Sequence, residues 1–328
     1  DHYDAASGKF VFCGGKDGVV IDQEKLAADI SQAVKDQKLD QSLSAEGNFQ
    51  AADSDEAVQA KYKTLETFTT NTTSNPKRNT NVRLAAEALN GTIVQPGEEF
   101  SFNQVIGPRT EEKGYQAAAA YNSGEVVQEV GGGVCQIATT LYDASLYAEL
   151  EITQRQNHSM SVSYVKPSMD AAIAGTYKDI KVTNPYDTPI YIEAGTSGKT
   201  LTFTIYGKET RPANRKVEYI SETLSKTDPG APQQKVDHSL MPGQTKKVQS
   251  AHIGYKSRLW KVVTVDGVEK ERTILHTDTY NPSKAIVLVG PAAPEVPPAV
   301  ENPAQPSETT PEQAAPAETA APQPSQSQ

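Results

Sequence analysis

One of the two cysteines of the chain follows three consecutive glycines, in the segment Gly131-Gly132-Gly133-Val134-Cys135-Gln136. Apolar residues then recur at helical spacing, which predicts an amphipathic helix that begins near the cysteine and runs to about Leu150. The members of this apolar stripe are Ile137, Leu141, Ala144 and Ala148. Unpaired N–H groups and the positive end of the dipole in the first helical turn favour thiolate over thiol. The pattern therefore predicts that Cys135 is a nucleophile that attacks a carbonyl carbon.

The glycines suit the same chemistry. Without Cβ atoms they let a substrate backbone approach closely, and the N–H groups of Gly132, Gly133 and Val134 could stabilise an oxyanion. A structural cysteine buried beside a tight strand-to-helix turn is the alternative, because free cysteine is among the most buried residue types. These residues alone leave both interpretations open.

A catalytic cysteine needs a base and usually a third group that orients the base. His158 is the one histidine of the central region, at the predicted junction between the cysteine helix and the next strand. Three nearby side chains could hydrogen-bond its imidazole, namely Asp170, Asn157 and Asp179. The sequence predicts a Cys-His pair without deciding which third group accompanies it.

Other side chains could line a substrate groove around this pair. Arg109 and Arg155 could clamp a substrate carboxylate, although either could equally be a surface charge. Tyr121 and Tyr164 could form groove walls, or they could belong to the core.

The sequence lacks the signatures of cofactor chemistry. The remaining histidines lack metal-ligand spacing, and the chain contains no His-Glu-x-x-His motif, P-loop or dinucleotide fingerprint. We therefore expect no metal and no cofactor. A net charge of -10 argues against nucleic acid or an anionic membrane surface as a partner held by bulk electrostatics.

Length and termini suggest an exported protein of several domains. A chain of 328 residues exceeds what one core usually holds, so two or three folded domains are expected. No apolar run approaches the roughly 20 residues that cross a bilayer. Because the chain begins at Asp1 without a methionine, we expect an ectodomain whose signal or membrane anchor lies upstream. Cys13 is predicted to be a small buried residue of a strand, and a disulfide with Cys135 is the alternative.

We predict an α+β fold in four parts. Residues 1–70 form a partial α+β module, with a helix capped by Asp22 that buries Leu26, Ile30, Ala33 and Val34, and a second helix over Ser54 to Phe68. Residues 71–210 form a strand-rich catalytic domain. Its elements are a helix at about Thr80 to Asn90, the helix after the cysteine, and strands that include Phe100 to Phe102, Met160 to Val165, Ile190 to Glu193 and Leu201 to Tyr206.

The last two parts differ sharply in composition. Residues 211–290 alternate apolar and polar positions, which predicts a small all-β module with strands at 216–220, 245–250, 259–265 and 286–289. Residues 291–328 hold 10 of the 21 prolines and no aromatic or basic residue. Such a segment cannot bury enough apolar surface to offset chain entropy, so a disordered tail is expected.

Short motifs on both sides of Cys135 form a family pattern. They are Arg78-Asn79, Asn90-Gly91, Pro96-Gly97-Glu98-Glu99-Phe100-Ser101-Phe102-Asn103, Gly107-Pro108-Arg109-Thr110, Gly114-Tyr115, Ala118, the glycine-cysteine segment, Thr139-Thr140-Leu141-Tyr142, Asn157-His158-Ser159 and Asp170-Ala171. Over Arg78 to Tyr206 the chain thereby resembles the VanW domain family. The stretch upstream resembles the C-terminal part of a peptidoglycan-binding module. Arg215 to Gly290 resembles a G5 domain, with Gly243, Gly254, Gly267 and Gly290 near its glycine positions.

The resemblance implies a bacterial cell-wall protein outside the membrane, with peptidoglycan stem peptides and glycan as partners. Some VanW domains look like L,D-transpeptidases, which cross-link stem peptides through a cysteine acyl-thioester. This implies catalytic roles for Cys135, His158 and Asp170. It implies oxyanion or substrate contacts for the residues Gly132, Gly133, Val134, Gln136, Arg109, Asn157 and Ser159. The G5 resemblance implies an element that binds sugars or wall components.

Two rival functions remain at this stage. A cysteine peptidase or amidase would use the same residues and pass the acyl group to water. A noncatalytic wall-binding scaffold would keep Cys135 buried and far from His158.

Overall fold

The computed structural model describes residues 1–122 and 125–292. Within these ranges the chain is α+β, with a strand-rich body and five α-helices. The helices are α1 Gln23–Lys35, α2 Asp55–Lys61, α3 Pro76–Leu89, α4 Phe102–Ile106 and α5 Val134–Tyr147. None of these helices has the length and apolar character needed to cross a membrane. The predicted disordered tail lies outside the described residues from residue 293 onward.

The N-terminal region carries little core of its own. Its strands are β1 His2–Asp4, β2 Lys9–Val11, β3 Gly18–Ile21 and β4 Gly47–Gln50, paired as β1-β2 and β3-β4. Asp22 caps α1 as predicted, because its carboxylate accepts from the N–H of Lys25 at 2.9 Å. The predicted buried face is wrong: Ile30 and Val34 are 48% and 58% exposed, since none of the described elements packs over that side of α1. Cys13 is exposed rather than buried, and both cysteines are free thiols.

The second predicted helix ends early. Helix α2 stops at Lys61, and the chain continues as β5 over Tyr62–Asn71. Strand β5 pairs antiparallel with β13 along its length and turns Leu65 into the core. Extension of the helix to Phe68 was therefore wrong, because tertiary pairing overrides the local helical pattern.

A four-stranded antiparallel sheet forms the centre of the molecule. The strands of the central region are β5 Tyr62–Asn71, β6 Thr92–Val94, β7 Glu99–Ser101, β8 Ala117–Asn122, β9 Glu125–Val130, β10 Glu151–Gln154, β11 Lys181–Thr183, β12 Ile190–Ser197 and β13 Thr200–Lys208. The sheet order is β5-β13-β12-β6, and α3 and α5 contact it and each other. The core between them includes Val82, Leu89, Ile137, Leu141, Ile192 and Phe203, all fully buried. Helix α5 is therefore fixed on a rigid support.

Smaller strand groups flank this sheet. Strands β10, β11 and β7 form one three-stranded sheet, and β8 pairs antiparallel with β9. The strand predicted over Met160 to Val165 is wrong, because this segment is irregular. Helix α3 begins at Pro76, four residues before the predicted start, because the Asn75 side chain accepts from the N–H of Arg78.

The C-terminal region is all-β, as predicted. Its strands are β14 Arg215–Thr227, β15 Gln233–Val236, β16 Thr245–Gln249, β17 Gly254–Val265, β18 Val268–Tyr280 and β19 Ile286–Val289. They form the sheets β14-β17-β18 and β15-β19-β16. Strand β18 was missed, because most of its side chains are exposed and leave no apolar run in the sequence.

Hydrogen bonds and ion pairs join the C-terminal region to the central one. The Tyr219 hydroxyl donates to the carbonyl oxygen of Leu146 at 2.6 Å, and the N–H of Asn281 donates to the carbonyl oxygen of Ser159 at 2.7 Å. Glu149 forms ion pairs with Arg215 and Lys261. These contacts hold the all-β region against the end of α5 and the segment that carries His158.

Candidate active site

Cys135 is the second residue of α5 and lines a groove of about 780 Å³. Its thiol is half-buried, and it donates a sulfur hydrogen bond to the carbonyl oxygen of Ile173 at 3.6 Å. His158 lines the same groove, and its ring is close enough to the sulfur atom to lower the pKa of Cys135. The thiol therefore faces an open groove that it shares with a candidate base.

The three glycines shape the turn before α5 for two physical reasons. Gly133 is the N-cap residue with φ at +107°, a conformation that side chains with a Cβ rarely adopt. A Cβ on Gly132 would lie 2.2 Å from the carbonyl oxygen of Ala118 in β8. All three glycines line the groove, so their absent side chains both permit close packing and keep the floor open.

Two of the predicted oxyanion donors are already engaged. The N–H of Gly132 donates to the carbonyl oxygen of Glu129 at 3.0 Å, and that of Val134 donates to Gly131 at 3.1 Å. In the described part of the chain, the N–H groups of Gly133 and Cys135 have no acceptor. These two are the donors that remain available to a substrate oxygen.

His158 lies in the irregular chain after β10 and is nearly buried. Its Nδ1 is 2.6 Å from Oδ2 of Asp170, and its own backbone N–H donates to the same oxygen at 2.7 Å. Because Nδ1 is engaged there, Nε2 is the ring nitrogen left to meet Cys135. Among the three predicted orienting groups, the structure places Asp170 at the imidazole.

The carboxylate of Asp170 is fully buried and has several donors. Arg155 approaches Oδ1 with one guanidinium nitrogen at 3.2 Å and donates through Nε to the Asp170 carbonyl oxygen at 2.7 Å. The Tyr280 hydroxyl also donates to Oδ1. With His158 on Oδ2, both oxygens are satisfied, which keeps a buried carboxylate ionised and fixed.

These contacts perturb the pKa values of the cysteine and the histidine in opposite directions. Burial alone would raise the pKa of Cys135, but the hydrogen bond and charge of His158 outweigh it and lower that pKa. Burial alone would lower the pKa of His158, but hydrogen bonds to Asp170 and Cys135 raise it to about 9. Both shifts favour a thiolate beside an imidazolium, a form that nucleophilic cysteines use.

The other candidate third groups lie elsewhere. Asn157 donates to the carbonyl oxygens of His158 and Thr279 rather than to the ring. Asp179 accepts from Ser101 and Asn103 at the start of α4. Neither side chain orients the imidazole, because each is used to fix the backbone around it.

The remaining predicted contact residues separate into two groups. Arg109 and Ser159 line the groove. Gln136 is buried, donating to Thr70 and Asn71 and accepting from Arg78, so its polar atoms are already used.

Arg155 is not a substrate clamp. Only 6% of its side chain is exposed, and it pairs with Asp170 and Asp278. Tyr121 and Tyr164 both line the groove, as one of the two interpretations predicted.

Sequence reasoning missed three residues near the site. Arg78 lines the groove, and its buried Nε has no hydrogen-bond partner in the described structure. The Arg78-Asn79 motif was the one signal that could have pointed to it. Tyr280 and Asp278 lie more than a hundred residues beyond Cys135, and no local pattern marks them. Residues 1–122 and 125–292 contain no cluster of His, Cys, Asp and Glu that could hold a metal ion.

Two family models match this chain, one in each of the two regions that meet at this site. Residues 77–206 match the model described as VanW like protein, and residues 221–292 match the G5 domain model. The chain contains a VanW domain and a G5 domain downstream of it. Cys135, His158 and Asp170 fall within the VanW domain, whereas Tyr280 and Asp278 belong to the G5 domain.

Two curated relatives match part of this chain. The uncharacterized protein YoaR of Bacillus subtilis (strain 168) is 42% identical over 136 residues, which cover 42% of this chain and 45% of YoaR. The vancomycin B-type resistance protein VanW of Enterococcus faecalis (strain ATCC 700802 / V583) is 27% identical over 154 residues, covering 44% and 56%. The chain spans about half the length of these relatives.

Two solved structures match part of this chain. The IgA1 protease G5 domain is 27% identical and covers 24% of this chain and 94% of its own, with a TM-score of 0.16. The HP0197 G5 structure is 22% identical and covers 23% and 95%, with a TM-score of 0.14.

Proposed function

We propose that this chain is a peptidoglycan L,D-transpeptidase that works through an acyl-thioester on Cys135. The observation that carries the proposal is the arrangement of Cys135, His158 and Asp170 beside an open groove with a glycine floor. Acyl transfer from a peptide needs a thiolate, a proton carrier and oxyanion donors, and these side chains together with the backbone N–H groups of Gly133 and Cys135 supply them without a cofactor.

In the first half-reaction, the Cys135 thiolate attacks the carbonyl carbon of the L-centre on the third stem residue. The oxyanion that forms accepts from the free N–H groups of Gly133 and Cys135. Collapse breaks the amide bond to the terminal D-alanine, and His158 donates its Nε2 proton to the departing amine. The product is a thioester on Cys135 beside a neutral imidazole of His158.

In the second half-reaction, a side-chain amine of a neighbouring stem attacks the thioester. His158 accepts the proton that this amine loses, and the carbon–sulfur bond breaks to release Cys135 as a thiolate. A new amide bond joins the two stems. The thiolate-imidazolium pair is thereby restored, with Asp170 stabilising the charged ring in the free enzyme.

Groove chemistry supports a peptide donor with carboxylate groups. Arg78, Arg109 and Lys178 bring positive charge to the groove of a protein whose net charge is -10. The positive charge of Arg109 interacts electrostatically with the sulfur of Cys135 and contributes to lowering its pKa. We assign to Arg109 the recognition of a stem-peptide carboxylate, for which a guanidinium is well suited.

VanW and G5 domains together indicate a cell-wall-associated protein. Within the proposal, residues 1–70 are a partial peptidoglycan-binding module, 71–210 the catalytic domain and 211–290 the G5 module that binds wall glycan. An upstream segment would anchor the protein to the outer face of the membrane.

A donor-acceptor experiment tests the proposal. Purified protein is incubated with a stem tetrapeptide, with and without an amine acceptor, and products and intact protein are followed by mass spectrometry. We expect a Cys135 acyl adduct and a cross-linked product that requires acceptor. Cys135→Ala should abolish both, whereas the matched variant Cys13→Ala should behave as wild type, since Cys13 is an exposed thiol outside the groove.

Other outcomes would support the rival functions. Free acid as the sole product in both incubations would indicate a peptidase or amidase. The absence of any adduct on Cys135 would indicate a noncatalytic scaffold. The half-buried thiol and its place beside His158 in the groove argue against that scaffold.

A further inference from the structure

The G5 domain contacts the carboxylate that orients His158. Tyr280, the last residue of β18, is 2% exposed and donates its hydroxyl to Oδ1 of Asp170. The same hydroxyl oxygen accepts from the N–H of Ser168 at 2.7 Å. The hydroxyl therefore bridges Asp170 to the backbone two residues before it, which limits how far the carboxylate can turn.

A second link passes through Arg155. One guanidinium nitrogen lies 3.2 Å from Oδ1 of Asp170, and another lies 2.7 and 2.9 Å from the two carboxylate oxygens of Asp278 in β18. The side chains of Arg155, Asp170 and Asp278 are only 6%, 1% and 7% exposed. Asp278 in turn pairs with His276 at 3.1 Å.

Titratable side chains from three parts of the structure surround Asp170. His158 and Arg155 face it from the chain after β10, and Tyr280 faces it from the G5 domain. From α5, Tyr142 and Asp143 are close enough to interact electrostatically with it. Burial and the nearby Asp170 raise the pKa of Asp143 well above its usual range, which favours the neutral carboxyl.

We propose that the active site spans both domains, with Tyr280 and Asp278 of the G5 domain acting as positioning residues for Asp170. Tyr280 acts directly on the carboxylate, and Asp278 acts through Arg155. With Asp170 held, His158 keeps its proton and Cys135 remains a thiolate. The consequence for turnover rests on the proposed function, but the consequence for the thiol does not.

Buried charge explains why this positioning should matter. The guanidinium of Arg155 forms ion pairs with two carboxylates, those of Asp170 and Asp278. Without Asp278, the positive charge of Arg155 would be paired with Asp170 alone. Asp170 would then be drawn toward Arg155 and become a weaker acceptor for His158. Loss of the Tyr280 hydroxyl would free the carboxylate to rotate and leave one of its oxygens with fewer donors.

Alkylation of Cys135 tests the inference without a substrate. Rates of reaction with iodoacetamide are measured against pH in a Cys13→Ala background, because Cys13 is exposed and would also react. We expect Tyr280→Phe to raise the apparent pKa of Cys135 and to slow alkylation below that pKa, with kcat on a stem tetrapeptide falling about tenfold. Asp278→Asn should shift the apparent pKa in the same direction.

Tyr219→Phe is the matched control. Tyr219 is also a buried tyrosine of the C-terminal all-β region whose hydroxyl crosses to the VanW domain, but it donates to the carbonyl oxygen of Leu146 rather than to Asp170. Its loss should lower the free energy of unfolding to a similar extent and leave the alkylation profile unchanged. Equal shifts in Tyr219→Phe and Tyr280→Phe, or no shift in either, would overturn the inference.

A double-mutant cycle separates positioning from general support. In an Asp170→Asn background, Tyr280→Phe should add no further change to the alkylation profile, because its target carboxylate is gone. Additive effects would mean that Tyr280 acts by another route and would reject the proposal. A shifted thiol profile in a protein that never turns over tetrapeptide would reject the transpeptidase function while leaving the shared site intact.

Discussion

Replacement of Asp170 by asparagine tests whether this carboxylate sets the charge state of Cys135. Asparagine has the same size but carries no charge, so it removes the anion that lies 2.6 Å from Nδ1 of His158. We expect the pKa of His158 to fall and that of Cys135 to rise. The thiolate-imidazolium pair would then exist over a narrower range of pH.

The size of the effect follows from the pKa of His158. Burial lowers the pKa of His158, but the interactions with Asp170 and Cys135 outweigh burial and raise this pKa from 6.5 to about 9. The difference corresponds to about 3 kcal/mol, at about 1.4 kcal/mol for each pKa unit. The hydrogen bond to Asp170 is the largest of the contributions that raise the pKa, so its loss should remove about half of this or more. Because the amide can also select the wrong imidazole tautomer, we expect kcat/KM to fall about 10²- to 10⁴-fold.

The assay is the pH profile of kcat/KM for tetrapeptide, with iodoacetamide alkylation as a second measure of the thiolate. Activity requires thiolate and imidazolium together, so the wild-type profile should fall below the lowered pKa of Cys135 and above about pH 9. In Asp170→Asn the alkaline limb should move to lower pH, because the pKa of His158 falls. The acid limb should move to higher pH, because the pKa of Cys135 rises. An alkaline limb that stays near pH 9 with unchanged kcat/KM would refute this reasoning.

Asp179→Asn is the control for the loss of a buried carboxylate. Asp179 is 5% exposed and accepts hydrogen bonds from Ser101 and Asn103, away from the imidazole. Its substitution should lower stability, as judged by thermal unfolding, without moving either limb of the profile. A similar displacement of both limbs would show that the Asp170 effect reflects general loosening.

Three further predictions concern stability and recognition. Gly132→Ala should lower the free energy of unfolding by about 1–3 kcal/mol, because the new Cβ would clash with the carbonyl oxygen of Ala118. Gly195→Ala is the control in thermal unfolding: a Cβ at Gly195 has open space around it, so this variant should not show the clash penalty. Asp143→Leu should raise the free energy of unfolding by about 1–3 kcal/mol, since neither buried carboxyl oxygen has a partner in the described structure. Because the folded-state pKa of the Asp143 carboxyl is raised, the wild type loses stability as pH rises. The stability gained by Asp143→Leu should therefore be larger at pH 8 than at pH 5 in denaturant titrations. A gain in stability that does not grow with pH would contradict this. Arg109→Met should raise KM about tenfold for a carboxylate donor but not for its amidated analogue, and an equal rise for both donors would exclude carboxylate recognition by Arg109.

Much of the local structure around the thiol could be predicted from short-range patterns. The glycines and the apolar spacing after Gln136 indicated where α5 would begin, and Asp22 identified the start of α1. These features depend on residues within a few positions of one another. Their physical basis is local, because a cap, a positive φ angle and an amphipathic stripe are each set by neighbouring residues.

Predictions failed where distant elements decide the conformation. The segment from Tyr62 onward has a helical apolar spacing, yet it forms β5 because β13 supplies a hydrogen-bonding partner along its length. The apolar side of α1 is exposed, although its pattern predicts burial, because no described element covers it. Periodicity identifies a face that can be buried but does not identify what covers it.

The sequence alone determined that a cysteine stands at a helix start after a glycine turn, and it predicted His158 as the base from the same region. It could not choose Asp170 over Asn157 and Asp179, because all three side chains are close enough in sequence to reach the ring. Only the tertiary structure made that choice, and only it brought Tyr280 to the carboxylate across 110 residues of chain. The physical reason is that a buried charge is positioned by the full set of donors packed around it, and some of these donors come from a second domain.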